Sequence, residues 1–170
     1  MGPRFKLPVV FLLLLIAHMG VLASLRSAGV PNDALLLLPI CAAIVAGSER
    51  AALVGFVAGM VADLFLQTPL GLSALTYSLV GFGFGVLQGN VIRAAWWIAP
   101  LTAFVGSAAG VILYALIGAT VGQSHLVDGD LLWIALSVAL VNTPLSMVVV
   151  RLMGWALTDG TISDRTFAAR

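Results

Sequence analysis

Apolar residues follow one another along this chain in long blocks, separated by short clusters of Gly, Pro, Asn, Asp and Ser. The blocks are too long for strands, and most approach the run of about 20 residues that a helix needs to cross a bilayer. The first runs from about Leu7 to Leu25, with Pro8 at its start, where a missing N–H is harmless. The second follows VPND, Val30 to Asp33, where Asn32 or Asp33 can cap a helix start. It stops at GSER, Gly47 to Arg50, and carries Pro39 in its interior, so a short helix, kinked or tilted, is expected. The third, Ala51 to Leu66, is also short; the second and third together form a hairpin that thins the membrane locally or does not fully cross it. The fourth spans Gly71 to Gly89, the fifth Ala94 to Gly122, and the sixth Leu131 to Leu157 with a bend expected at Pro144. This predicts an all-α integral membrane protein of about six transmembrane helices, one polytopic membrane domain over residues 1–170.

Composition agrees. The chain is 61% hydrophobic and 9% charged, with a mean hydropathy of +1.13, whereas soluble domains carry about 25% charged residues. A formal net charge of +1 with scattered basic residues offers no phosphate-neutralising patch, which excludes nucleic acid as a partner. The single cysteine, Cys41, lies in an apolar run, so neither a disulfide framework nor a metal site is expected. Arg4 and Lys6 before the first block, with VLAS at Val21 to Ser24, resemble a signal peptide; the length of the block favours an uncleaved span.

Placing the N-terminus in the cytoplasm puts Arg4, Lys6, Arg50, Arg93, Arg151, Arg165 and Arg170 inside and only Arg26 outside. The opposite orientation violates the positive-inside rule, so both termini are expected in the cytoplasm. Asp33, Asp63, Asp128 and Asp130 then lie toward the outer side, and Trp96, Trp97, Trp133 and Trp155 stand near span ends, where indoles settle at the headgroups.

The clearest motif is small residues spaced by four: Gly55 and Gly59, continued by Asp63; Gly81, Gly85 and Gly89; Gly106 with Gly110; Gly118 with Gly122. In lipid, helices associate by close backbone contact, which such stripes permit. Each stripe can pack inside the bundle, or present a groove to a partner's helix. Asp63 has two readings as well. It can brace the turn QTPLG, Gln67 to Gly71, or face a partner or pocket with Arg26 as counter-ion. Among the other polar intruders, His18 reads as an interhelical hydrogen-bond donor, and Ser73, Thr76, Tyr77 and Ser78 as helix glue or a cavity lining. Asn142, Thr143 and Ser146 surround Pro144 and are expected to satisfy the Leu140 carbonyl that proline leaves unpaired. No HExxH, GxSxG or phosphate-binding loop occurs, and the two histidines, His18 and His125, fall in different regions, so no enzyme and no cofactor are expected.

The segment GFVAGMVADLFLQTPLGLSALTYSLVGFGFG, Gly55 to Gly85, resembles the centre of the rod shape-determining MreD family, on Gly55, Gly59, Asp63, Leu64, Phe65, Thr68, Pro69, Leu70, Gly71, Ser73, Ala74, Tyr77, Val80 and Gly81. PNDALLLLP is similar to that family's approach to its second helix, and Phe82 departs from an expected tyrosine. The resemblance implies a fold similar to the six-helix substrate-binding subunits of energy-coupling-factor vitamin transporters. It implies a non-enzymatic membrane scaffold of the cell-elongation machinery, working with MreC, MreB, RodA and a class B penicillin-binding transpeptidase. The partner-binding residues would be Gly55, Gly59, Asp63, Phe65, Pro69, Gly71, Tyr77, Gly81 and Gly85, with the stripe at Gly55 and Gly59 as a groove for the membrane helix of MreC. Two alternatives compete. One is a small-molecule transporter subunit with a pocket near Asp63, Tyr77 and Asp128; the other, a lipid-processing enzyme, needs acids or histidines brought together from distant positions.

Overall fold

In the computed structural model of the protein, residues 3–20, 29, 33–65, 69–89, 97–123 and 126–157 are described. They form six helices: α1 Pro3–Met19, α2 Leu37–Ala46, α3 Ser48–Phe65, α4 Leu72–Gly89, α5 Ile98–Thr120 and α6 Leu131–Leu157. No strand occurs among the described residues. Helices α2 to α6 lie close to the predicted blocks because their apolar runs end where Gly, Pro or polar residues appear, whereas α1 starts at Pro3 and ends at Met19, so Pro8 stands in its interior and not at its start. Two of them, α5 and α6, are long and apolar enough to cross a membrane. Trp96, Arg26 and the segment Val21 to Ser24 lie outside the described residues.

The centre of the bundle is α2. Every residue from Ala34 to Ala43 is buried, and the helix touches α3, α4, α5 and α6. A helix that is apolar all round is one enclosed all round. Its 10 residues rise about 15 Å, half of the roughly 30 Å hydrocarbon layer, so α2 alone cannot cross.

The start of α2 corrects two expectations. The helix begins at Leu37 with Leu36 at the N-cap and no side-chain cap, so Asp33 does not serve there, and Asn32 lies outside the described residues. The orphan donors are met locally instead: Leu37 N–H donates to the Ala34 carbonyl at 3.1 Å and Leu38 N–H to the Leu35 carbonyl at 3.1 Å. Pro39 is therefore in the first turn, where an absent N–H removes no helical bond, and it gives no reason for a kink. Gly47 then joins α2 to α3 with φ 86° and ψ −179°, a backbone region open essentially to glycine alone.

Helices α3 and α4 run antiparallel, with Ser48 against Gly85, Ala51 against Gly81, Gly55 against Tyr77 and Ser78, and Gly59 against Ser73 and Ala74. On α5, Gly106 and Gly110 make room for Ile40 and Leu36 of α2. The start of α1 meets the end of α6, where the Lys6 ammonium lies 5.3 Å from the Trp155 ring centroid. Both ends of the helical bundle's chain thus lie on one side.

The bundle's interior combines the large side chains Leu35 to Leu38, Ile40, Val149 and Met153 with alanine, glycine and small polar residues, while Leu12, Leu53, Phe56, Leu64, Leu79, Phe82, Leu101, Leu116 and Leu140 point outward. A soluble protein does not leave so continuous an apolar surface uncovered. Trp97, Trp133 and Trp155 are exposed near helix ends, as anchors at a headgroup layer would be.

Helix α6 runs through Pro144 without interruption of its assignment. The expected repair of the Leu140 carbonyl does not occur as drawn. Thr143 Oγ1 donates to the Ala139 carbonyl at 2.7 Å and Ser146 Oγ to the Thr143 carbonyl at 2.6 Å, whereas Asn142 turns away to other helices.

Candidate functional site

The residues singled out in Gly55 to Gly85 do come together, but on each other. A β-carbon added at Gly55, Gly59, Gly81 or Gly85 would fall within 3.0 Å of backbone on the facing helix, a separation real Cβ atoms essentially never show. Backbones this close exchange dispersion contacts along their whole length, the attraction available to helices in lipid. The seam formed by these four glycines is filled by the chain itself. No groove remains at Gly55 and Gly59 for a partner's helix, which corrects the open-groove expectation for this stripe.

Asp63 closes the seam. It lies one turn beyond Gly59, is 2% exposed, and accepts hydrogen bonds from three backbone N–H groups at the start of α4. Gly71 N–H donates to Oδ2 at 2.7 Å, Ser73 N–H to Oδ1 at 3.0 Å, and Ala74 N–H to Oδ2 at 3.3 Å. Leu72 N–H goes to the Pro69 carbonyl at 3.2 Å and Leu75 N–H to the Gly71 carbonyl at 2.8 Å. Every donor of the first turn of α4 is thereby satisfied. The negative charge also sits where the helix dipole is positive. Asp63 is an N-cap supplied from the neighbouring helix rather than from the residue before α4. Its carboxylate is covered and presents nothing to a partner, which corrects the partner-facing reading; Arg26, its suggested counter-ion, lies outside the described residues.

Gly71 holds φ 99°, a left-handed conformation that turns the chain so its own N–H points at Asp63. Pro69 is half-buried, and the side chain of Phe65 lies outside the described residues.

Tyr77 is buried and belongs to a different cluster. Its hydroxyl donates to Asp33 Oδ2. Asn142 Nδ2 donates to the Asp33 carbonyl at 2.9 Å and to Ser107 Oγ at 2.9 Å. One polar layer thus ties the segment before α2 to α4, α5 and α6. The pairing was not evident from sequence: Asp33 reads as a cap and Asn142 as proline repair, and nothing singles out Ser107. The available signal was that polar side chains near the middle of apolar helices must find partners on other helices. Near the opposite end, Gln88 Nε2 donates to Thr102 Oγ1 at 2.6 Å, tying α4 to α5. Thr76 Oγ1 donates to the Leu72 carbonyl at 2.8 Å, a bond within its own helix and not between helices.

Among the described residues, Asp63, Tyr77 and Asp128 do not come together as the pocket of the transporter alternative. Both oxygens of Asp63 are engaged, the Tyr77 hydroxyl is held by Asp33, and Asp128 is exposed in the connection before α6. Among the described residues, no group of three His, Cys, Asp or Glu side chains is placed to hold a metal.

Comparison with known proteins adds one match. No curated protein and no solved structure matches the chain. The family model for the rod shape-determining protein MreD matches residues 3–156. With nearly the whole helical bundle covered, the chain belongs to the MreD family of rod shape-determining proteins.

Proposed function

We propose that this protein is a non-enzymatic scaffold in the bacterial inner membrane that docks MreC and links it to peptidoglycan synthesis during cell elongation. Membership in the MreD family carries the reading: it assigns the chain to rod-shape determination and, with the apolar α5 and α6, points to a membrane protein. MreB, RodA and a class B penicillin-binding transpeptidase belong to the same proposed assembly. The proposed orientation has both termini in the cytoplasm. It is supported by the basic residues Lys6, Arg50 and Arg151 and by the meeting of Lys6 with Trp155. Architecture similar to the substrate-binding subunits of energy-coupling-factor transporters is part of the same proposal, with residues before α2 and α2 itself sharing one crossing.

The docking surface in this reading is the outward apolar face of the bundle, since the glycine seam is occupied. Contacts there are made inside the bilayer, by shape and close packing against a partner's single helix. A photo-crosslinking amino acid placed in turn at Leu13, Phe56, Phe82, Leu101 and Leu140, all exposed and one on each of five helices, tests it in living cells. At least one position should yield a covalent adduct with MreC. Five silent positions, with the protein present at normal abundance, would exclude docking through the bundle's outer face.

A further inference from the structure

Where α1 meets the end of α6, positive side chains are gathered around one ring, and a scaffold that docks through its apolar face does not use them. Lys6 of α1 holds its ammonium 5.3 Å from the Trp155 ring centroid. Arg151 stands one turn before Trp155 on α6, and both are exposed on the same outward face, with roughly 5–6 Å between β-carbons at that spacing. Gly154, beside Trp155, leaves this turn open, because nothing lies within 4 Å of where its β-carbon would be. Two cations therefore converge on one accessible indole.

Their depth follows from α6. Trp133 and Trp155, both exposed near its ends, are separated by about 33 Å of helix, which fits a hydrocarbon core of roughly 30 Å with one indole at each face. Arg151 then lies about 6 Å inward of Trp155, just within the hydrocarbon edge. An arginine facing lipid there is tolerated because its stem carries the guanidinium out to the headgroups. In that layer it meets phosphate, which its planar fork binds through two parallel N–H donors.

The helices around this spot bring no acid to it. Helix α6 packs on α1, α2 and α5, and neither it nor any of those three contains an aspartate or glutamate. Along the sequence, residues 3–7 and 151–170 carry Arg4, Lys6, Arg151, Arg165 and Arg170 against Asp159 and Asp164, a basic balance.

We propose that Lys6, Arg151 and Trp155 form a binding site for the headgroup of an anionic glycerophospholipid, whose phosphate pairs with the two cations. A zwitterionic headgroup would bring its own ammonium against them, so the site selects net negative charge. The orientation proposed above makes the bound leaflet the cytoplasmic one; the site itself does not depend on that orientation.

The test uses the full chain, purified in detergent and supplied with equal amounts of phosphatidylglycerol and phosphatidylethanolamine, with native mass spectrometry identifying the lipid that stays bound. Unaltered protein should retain phosphatidylglycerol in preference. Arg151→Gln should lower that retention about fivefold, the effect of one basic residue at an anionic surface, and Lys6→Gln combined with it more than tenfold. Arg151→Lys, which keeps the charge without the fork, should fall between the parent and Arg151→Gln. Arg50→Gln, which removes an exposed cation of α3, should match the parent. Unaltered protein that retains the two lipids equally, as it would if these cations served to meet an acidic protein segment, overturns the inference without recourse to any variant. So does an equal loss from Arg50→Gln and Arg151→Gln, or a double variant that retains phosphatidylglycerol as the parent does.

Discussion

Replacing Asp63 with alanine is expected to destabilise the protein by about 3–5 kcal/mol, more than one hydrogen bond to a charged group contributes and less than the sum of three. The change strips three backbone donors at the start of α4 of their acceptor. Hydrogen bonds to a charged group contribute about 1.5–3 kcal/mol each, and a buried donor left unmade costs about 1–3 kcal/mol. These values do not add, because water can reach Gly71 once the seam opens. Asp63→Asn keeps one carbonyl oxygen but turns an amide N–H₂ toward donors, so it should lose roughly half as much. Thermal unfolding in detergent measures the order Asp, Asn, Ala. Amide exchange should rise first at Gly71, Ser73 and Ala74. A partner-facing carboxylate predicts something else: both variants as stable as the parent, with recovery of MreC lost.

The second large effect is expected at Gly59. Its added β-carbon would collide with the backbone of Ser73 and Ala74, and a backbone cannot rotate aside as a side chain does. Overpacking a dense interior costs about 1–3 kcal/mol; Gly59→Ala should reach the top of that range and Gly59→Leu exceed it, because the two helices must part. Gly83 is the control. It belongs to the same helix as Gly81 and Gly85, yet a β-carbon there meets nothing within 4 Å, so Gly83→Leu should leave stability within about 0.5 kcal/mol. Unfolding temperature and the yield of monodisperse protein distinguish the two. If Gly59→Leu folds as well as Gly83→Leu, the seam is not the contact described.

Helix positions were legible because lipid and bundle impose a simple rule: apolar runs persist until a turn residue ends them. Helix α6 occupies Leu131–Leu157 as its apolar run predicts, and α4 begins one residue after the Gly71 that turns the chain. The start of α2 was misread by giving Asp33 the weight of its capping preference. Pro39 held the better clue, since proline is tolerated in a first turn and costly in an interior. The spacing of Gly55, Gly59, Gly81 and Gly85 announced close approach but not of what. That two such stripes occur in consecutive helices with a short connection was a sign that they meet each other. The role of Asp63 was half visible, in its nearness to QTPLG, but its partners are backbone N–H groups, which no residue letter encodes. The layer of Asp33, Tyr77, Ser107 and Asn142 was not legible as a unit, because only the packing of α2 among its neighbours brings four remote positions to one depth.

The internal seam between α3 and α4 is the claim on which the placement of docking depends. A cysteine pair at Ser48 and Gly85, in a Cys41→Ala background, addresses it directly, since a β-carbon at Gly85 would lie 2.9 Å from that of Ser48. A β-carbon at Gly85 requires α3 and α4 to part by about 1 Å at this end of the seam, a shift that also brings the pair into the roughly 3.5–4.5 Å between β-carbons that disulfides prefer. Mild oxidation in membranes should give a bridge within one chain and no covalent dimer. Cysteines that stay reduced, or that link separate chains instead, would show that Ser48 and Gly85 do not face each other.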